Sequence, residues 1–340
     1  MNIILVGGSN TGISYGWARQ FQAAAKRHVV ANRFLGAVGS LFGLLRLMEA
    51  EREGAPLPDL VIFEYSLNDM MLLDSGCVTP AQLRDTLLDV IGFCASRGLA
   101  LLFLCLEVQP IGRQRVHACV AVVKDLYVEV AREHGVRCLT LDEILGPPRP
   151  EDFADEHHLS EDVSKRVVDR LLLEIALGRV TIPEAPPARP PAFFYHRTVA
   201  ALPLGPCRRV DIASTVFSGK FLEIARGGAS LWPGRGDLVG LMLRSTQTAG
   251  EFAISAGRRR LRKNAQSGMR AAAPRLMLLH YLTKPLACAD DLEISMPESE
   301  AELIRLREDR TPLAAAPETP FDAQLLEIHG VMMWRRAAIR

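Results

Sequence analysis

An excess of one charge sign is what this sequence most clearly lacks: 40 Lys and Arg stand against 39 Asp and Glu, a net charge of +1. A dedicated nucleic-acid binder carries a strongly basic face or domain, so this balance argues against a nucleic-acid partner. Long apolar runs are absent too. None reaches the roughly 18 residues that a membrane span requires, and the first expected strand begins at Asn2, leaving no room before it for a charged and then apolar leader. Cysteine patterning is also missing. The seven cysteines (77, 94, 105, 119, 138, 207 and 288) are odd in number and form no C-x-x-C pair or Cys/His metal spacing, and several sit in apolar runs such as "LLFLCLEV". They read as reduced core thiols, which fits a cytoplasmic setting, no structural zinc and no cofactor.

What is present is an ordinary globular composition, 49% hydrophobic and 23% charged, with little room for extended disorder. A chain of 340 residues exceeds the size at which one core usually stops growing, about 250 to 300 residues, so two domains are expected. Up to residue 182 short apolar runs alternate with longer periodic segments, the pattern of βα units around a parallel sheet. Strands are expected at 2–7, 28–33, 59–65, 99–106 and 136–141, and helices near 13–26, 37–52, 80–97, 113–134 and 161–177. In the last helix Val163, Val167, Leu171 and Ile175 recur every four residues, Ser160 is placed to cap it, and Gly178 ends it. "PEAPPARPP" at 183–191 holds five prolines, which favour a stiff extended linker. From 192 to 340, runs such as "KFLEIA", "LVGLMLRS", "EFAISA" and "LLEIHGVMMW" between Gly, Pro, Ser and Asp point to an antiparallel β-sandwich.

The stretch "IILVGGSNTG" at 3–12 admits two readings. Gly7, Gly8 and Gly12 go partway toward a dinucleotide-binding turn. The rest of that machinery is missing, because the second strand ends in "ANRF" with no acidic residue for a ribose and no Tyr-x-x-x-Lys pair occurs. The second reading makes Ser9 a nucleophile and requires partners at the carboxyl ends of other strands, where open α/β sheets place their ligand crevice. Asn32 and Gly36 follow strand two, "SLND" follows strand three, and "DEHH" at 155–158 follows strand five. Each residue alone has a plainer role: Ser9 and Asn68 as turn residues, His158 as a surface residue at a helix start. Asp152, Asp155, Glu156, His157 and His158 also admit a metal site, although adjacent histidines point in different directions.

Together the blocks "GGSN", "NRFLG", "SLND" and "DEHHLS" resemble, in order, those of the SGNH, or GDSL-type, hydrolase superfamily across residues 7–160. The resemblance implies a flavodoxin-like three-layer α/β/α domain with a five-stranded parallel sheet, in which Ser9, Gly36, Asn68 and His158 act together and Asp155 orients the histidine. Gly39 is the alternative to Gly36 in the second block. Gly8 stands where the family usually has Asp, and Ser66 where it has the Gly of Gly-x-Asn-Asp, which leaves that local turn open. The implied chemistry is ester hydrolysis by a Ser9–His158–Asp155 triad, with an oxyanion hole made of the N–H groups of Ser9 and Gly36 and the Asn68 carboxamide. The implied partner is an acylated small molecule or glycan, and "EYSLND" is similar to the third block of members linked to polysaccharide modification. An acyltransferase with the same triad and a non-catalytic glycan-binding module are the rival readings.

Outside these blocks, "RRRLRK" at 258–263 is read as a solvated loop rather than a polyanion site. Trp232, Tyr281 and Trp334 are expected in the core of the second domain rather than stacked on sugars. His28, His117 and His134 are expected to be structural or solvent-facing. The second domain's roles in glycan binding, covering the site or oligomerisation stay open.

Overall fold

A computed structural model describes residues 1–110, 114–187, 189–213, 217–266, 276–310, 315–316 and 319–335, with only the backbone described for 114–117 and 276–280. The side chain of His117 thus lies outside the described residues. The chain divides into two compact units, Met1–Pro191 and Ala192–Arg340.

The first unit is built on five parallel strands, β1 (Asn2–Gly7), β2 (Val29–Asn32), β3 (Leu60–Glu64), β4 (Ala100–Cys105) and β5 (Arg137–Thr140), in the order β2-β1-β3-β4-β5. The apolar runs of β3 and β4 are buried almost throughout, as central strands of a sheet covered on both faces must be. The helices are α1 (Ser9–Gly12), α2 (Trp17–Ala24), α3 (Ser40–Arg52), α4 (Ser66–Asp74), α5 (Pro80–Ser96), α6 (Gln114–Glu133), α7 (Leu141–Leu145) and α8 (Glu161–Ala176). On one face Ile3 and Leu5 pack against Trp17 and Phe21 of α2 and Val163, Val167 and Leu171 of α8. On the other, edge-to-face contacts run from Phe42 of α3 through Tyr65, Phe63 and Phe103 to Tyr127 of α6. This is the three-layer arrangement, and sheet order reverses between β1 and β3.

Local signals place most helices. Pro80 occupies the first position of α5 and Thr79 and Gln82 cap each other ahead of it, while Ser160 caps α8 and Gly178 follows that helix at φ 64°. Two expectations change. The helix expected over 13–26 is only α2, because the chain first turns between Gly12, the end of the separate turn α1 against whose face the Phe34 ring packs, and Gly16, which precedes α2. "SLND" opens α4 rather than forming a turn. The proline-rich segment lies on the first unit. Glu184 N–H donates to His134 O (2.8 Å), His134 Nδ1 lies 3.1 Å from Glu184 O, and Arg189 donates to Asp89 Oδ1 (2.8 Å).

The second unit holds β6 (Phe193–Arg197), β7 (Leu202–Leu204), β8 (Cys207–Ala213), β9 (Ser218–Ala225), β10 (Ala229–Trp232), β11 (Gly236–Ser245), β12 (Glu251–Ala256), β13 (Arg259–Asn264), β14 (Leu276–Cys288), β15 (Leu292–Ser295), α9 (Glu300–Ile304), β16 (Arg307–Glu308) and β17 (Leu325–Trp334). They form two mostly antiparallel sheets, β16-β13-β12-β15-β10-β7 and β14-β11-β17-β9-β8, with β6 also paired to β17. Trp232, Phe252 and Ile294 of the first sheet share one core with Leu241, Ile328 and Val331 of the second. Trp232, Tyr281 and Trp334 are all buried, which takes their ring faces away from any sugar.

The basic run is the main correction in this unit: it is strand β13, not a solvated loop. Strand alternation sends Leu261 and Lys263 inward and Arg260 and Arg262 outward. The outward pair is matched by acids, Arg260 by Glu302 at 2.7 Å and Arg262 by Glu308 at 3.4 Å and Glu251 at 3.6 Å. Lys263 is fully buried and donates to Asp309 Oδ1 (2.6 Å) and Tyr281 O (2.9 Å), while Asp309 Oδ2 accepts from Thr283 Oγ1 (2.7 Å).

Removing one partner of such a pair strands a buried charge. Asp309→Ala is therefore expected to lower stability by about 3–5 kcal/mol in chemical unfolding, and a Lys263→Met/Asp309→Leu double variant by less. A loss under about 1 kcal/mol in the single variant would contradict this account of the pair.

Candidate active site

Because the five strands are parallel, the segments after their carboxyl ends meet on one rim. After β1, the chain enters the single turn α1 at Ser9, whose N–H, at the first position of a helix, has no intrahelical acceptor. After β5 and α7, the loop before α8 folds back on itself: Phe153 and Leu159 form a bridge, and Ala154 N–H donates to His158 O (2.8 Å). Within that loop Asp155 Oδ1 accepts from the N–H groups of His157 (2.8 Å) and His158 (2.9 Å).

The two ends of the chain segment then meet. His158 Nε2 lies 2.9 Å from Ser9 Oγ, and His158 Nδ1 lies 2.7 Å from Asp155 Oδ2. An ionised carboxylate only accepts, so it selects the tautomer with hydrogen on Nδ1 and leaves Nε2 free to accept from the Ser9 hydroxyl. Partial burial disfavours the Asp155 charge, but hydrogen bonds from the His158 ring and the two amides outweigh it and hold the carboxyl below the usual range. Asp155 and His158 are thus committed to each other rather than to a shared cation. Asp152 turns its Oδ2 to Arg149 N–H at 2.7 Å.

Gly36 lies against Ser9. A Cβ built on it would stand 3.3 Å from Ser9 Cβ and 3.6 Å from Ser9 N. The next residue, Ala37, is the one non-glycine among the described residues with positive φ, 59°, a strained conformation of the sort that persists where surroundings over-determine it. Gly39, the alternative, instead precedes the first turn of α3. Asn68, in the first turn of α4, sets its carboxamide against Gly8, where any Cβ would collide with it, and forms no hydrogen bond with another described residue. That contact bears on the glycine at position 8: an Asp there would require the Asn68 carboxamide to move.

The three glycines of the opening stretch are spoken for. Thr11 and Glu64 crowd Gly7, Asn68 crowds Gly8, and the Phe34 ring fills the space beside Gly12. Close approach of side chains, not of a pyrophosphate, is what these positions serve. Asn32 likewise turns back into the protein, donating to Thr11 O at 2.9 Å.

Sequence reasoning missed the residues that hold this arrangement. Asn10 reaches across to the histidine loop, donating from Nδ2 to His157 O (2.8 Å) and accepting at Oδ1 from Leu159 N–H (3.0 Å). Gln109, after β4, braces the same loop through Glu156 O and Pro150 O, each at 3.0 Å. Glu64 and Asp69 are buried acids. Glu64 Oε2 accepts from Thr11 Oγ1 (2.7 Å) and Gly8 N–H (3.2 Å), and Asp69 accepts from Ser40 N–H (2.9 Å) and Tyr127 Oη (2.7 Å). Burial pushes the Glu64 carboxyl up to about 8 and that of Asp69 to about 7, against the pull of those donors. The only sequence signal was proximity to the motifs, since every partner lies far along the chain.

No protein-family model and no curated protein matches this sequence. Among solved structures, a two-domain esterase active on acetylated mannans aligns with 99% of this chain and 92% of its own, at 16% identity and a TM-score of 0.65. A carbohydrate acetylesterase from Sinorhizobium meliloti covers 52% of this chain and 98% of its own at 16% identity, with a TM-score of 0.43. An acetyl xylan esterase covers 52% of this chain and 100% of its own at 13% identity, with a TM-score of 0.42. At these identities the likeness is one of fold. The chain shares its fold with the first of these, a three-layer α/β/α unit followed by a sheet-rich unit, and the four sequence blocks lie on one rim of the α/β/α unit.

Asn10→Ala removes the acceptor of a buried amide, which costs about 1–3 kcal/mol locally. Hydrogen exchange at the Leu159 amide is expected to accelerate by roughly ten- to a hundredfold; unchanged protection would show that the loop does not depend on Asn10.

Proposed function

We propose that this protein is a serine ester hydrolase that removes an acyl group, acetyl in the leading case, from a carbohydrate. The observation that carries the reading is the continuous line from Asp155 through His158 to Ser9 Oγ, with links of 2.7 and 2.9 Å. A serine hydroxyl is a weak nucleophile without a base in hydrogen-bond reach, and His158 Nε2 is such a base.

In the first step Ser9 Oγ attacks the ester carbonyl and its proton passes to His158 Nε2. Asp155 stabilises the resulting imidazolium and stays ionised itself. Charge on the carbonyl oxygen is met by the N–H groups of Ser9 and Gly36 and by the Asn68 carboxamide. The tetrahedral adduct collapses as His158 returns the proton to the departing sugar oxygen, leaving an acyl group on Ser9. Water, deprotonated by the same imidazole, then releases the acid and restores the hydroxyl.

The substrate class is supported by the fold shared with the esterase active on acetylated mannans, which extends over 99% of this chain. In the second unit Trp232, Tyr281 and Trp334 are all buried. Recognition of the sugar therefore falls to other side chains.

Ser9→Ala is expected to abolish turnover of p-nitrophenyl acetate and labelling by a fluorophosphonate. Asn68→Ala is expected to lower kcat by about 10²- to 10³-fold. Full activity in Ser9→Ala would sink the reading. Release of acetate from acetylated mannan tests the substrate, and transfer to an added sugar in preference to water would assign an acyltransferase instead.

A further inference from the structure

Glu64 is used by no step of that reaction, yet it touches the turn that carries the nucleophile. It ends β3 and is fully buried. Oε2 meets Thr11 Oγ1 and Gly8 N–H on either side of Ser9, whereas Oε1 is sealed from solvent with no hydrogen-bond partner among the described residues. Gly7 and Gly8 are both glycines because Glu64, Thr11 and Asn68 fill the space their Cβ atoms would take.

We propose that Glu64 is a positioning residue that works as a neutral acid, bracing the Ser9 turn through Thr11 and Gly8, and that loss of its proton limits activity on the alkaline side. The inference rests on the ester-hydrolase reading of the same site.

The proton has one place to be. Oε2 accepts from Thr11 Oγ1 and Gly8 N–H in the neutral acid as in the carboxylate, so the proton lies on Oε1, to which no described residue offers an acceptor. Ionisation transfers this proton to solvent hydroxide, giving water and a carboxylate that accepts from both Thr11 and Gly8. The new charge is buried one peptide away from Ser9. It opposes the negative charge that develops on the carbonyl oxygen during attack, in a setting where charges are poorly screened.

The surroundings keep Glu64 protonated at neutral pH. Burial, with Asp69 of α4 adding to it, pushes the carboxyl up to about 8 against the pull of Thr11 and Gly8. The other ionisable groups facing it are phenols, Tyr65, the next residue, which caps α4, and Tyr127 of α6, and burial pushes both well above the usual range. Arg46 of α3 bears on Tyr65. Asp69 is itself pushed up to about 7, chiefly by burial, and is held by Ser40 and Tyr127 rather than by the Ser9 turn, so Glu64→Gln distinguishes the two. Since the folded state resists ionisation, the stability contributed by Glu64 is present below the ordinary carboxylate range and is lost as pH rises toward 8.

The test is the pH profile of kcat/KM for p-nitrophenyl acetate from pH 6 to 10, with the Ser9→Ala rate subtracted as a blank. The wild type is expected to fall about tenfold between pH 7 and 9. Glu64→Gln, whatever its amplitude, is expected to lose that limb, and Thr11→Val, which removes a donor to the carboxylate, to move it to higher pH. If Glu64→Gln does not fold, Thr11→Val decides. An unmoved limb in the folded variants overturns the proposal, as does an active wild type with a flat profile to pH 9. A wild type inactive at every pH, with Ser9 unlabelled by fluorophosphonate, overturns the hydrolase reading itself.

Discussion

A single six-residue stretch, "EYSLND" at 64–69, holds together the loops on which the site depends. Glu64 takes hold of the first loop through Gly8 and Thr11. Tyr65 reaches toward Leu35 O, just ahead of Gly36, at 3.5 Å, and Ser66 donates to Leu106 O after β4 at 2.7 Å. Asn68 lies against Gly8, and Asp69 caps the start of α3 at Ser40 while accepting from Tyr127 of α6. Because β3 is the central strand and α4 begins within two residues of its end, these side chains radiate to neighbours on both sides without slack. Buried polar groups held this way are costly when half satisfied, which is why they fix one geometry rather than several.

The histidine arm is built on a different principle. Asp155 and His158 are three residues apart, so their pairing is local and the loop amides complete it. What is not local is the position of that pair relative to Ser9, and Asn10 supplies it by binding main-chain atoms on either side of His158. Nucleophile and base are thereby referenced to each other by adjacent residues, Ser9 and Asn10, in one helical turn.

In the second unit a similar economy neutralises charge. Five of the six residues in "RRRLRK" are basic, but a strand turns alternate residues to opposite faces, and the partners Glu251, Glu302, Glu308 and Asp309 come from elements on either side. Arg260 and Arg262 are thus matched by acids and Lys263 is a buried ammonium, while Arg258 and Arg259 stay exposed.

Period and punctuation were enough to locate the five parallel strands and the long helices, because continuous apolar runs of five or six residues and caps such as Thr79 and Ser160 act through near neighbours in the chain. They failed where local chemistry is ambiguous. "SLND" carries turn residues yet opens α4, since burial of Leu67 and Met70 outweighs their preference, and "RRLRKN" hides its period of two behind uniform charge. In the site, the sequence by itself determined which residue types are present, in what order, and that Asp155 and His158 would pair. Tertiary structure alone decided that His158 meets Ser9, that Gly36 lies beside it, and that Glu64, Asp69 and Asn10 brace the loops. Those contacts join residues 27 to 149 positions apart, and their free energy exists only once the sheet has set the spacing between strands.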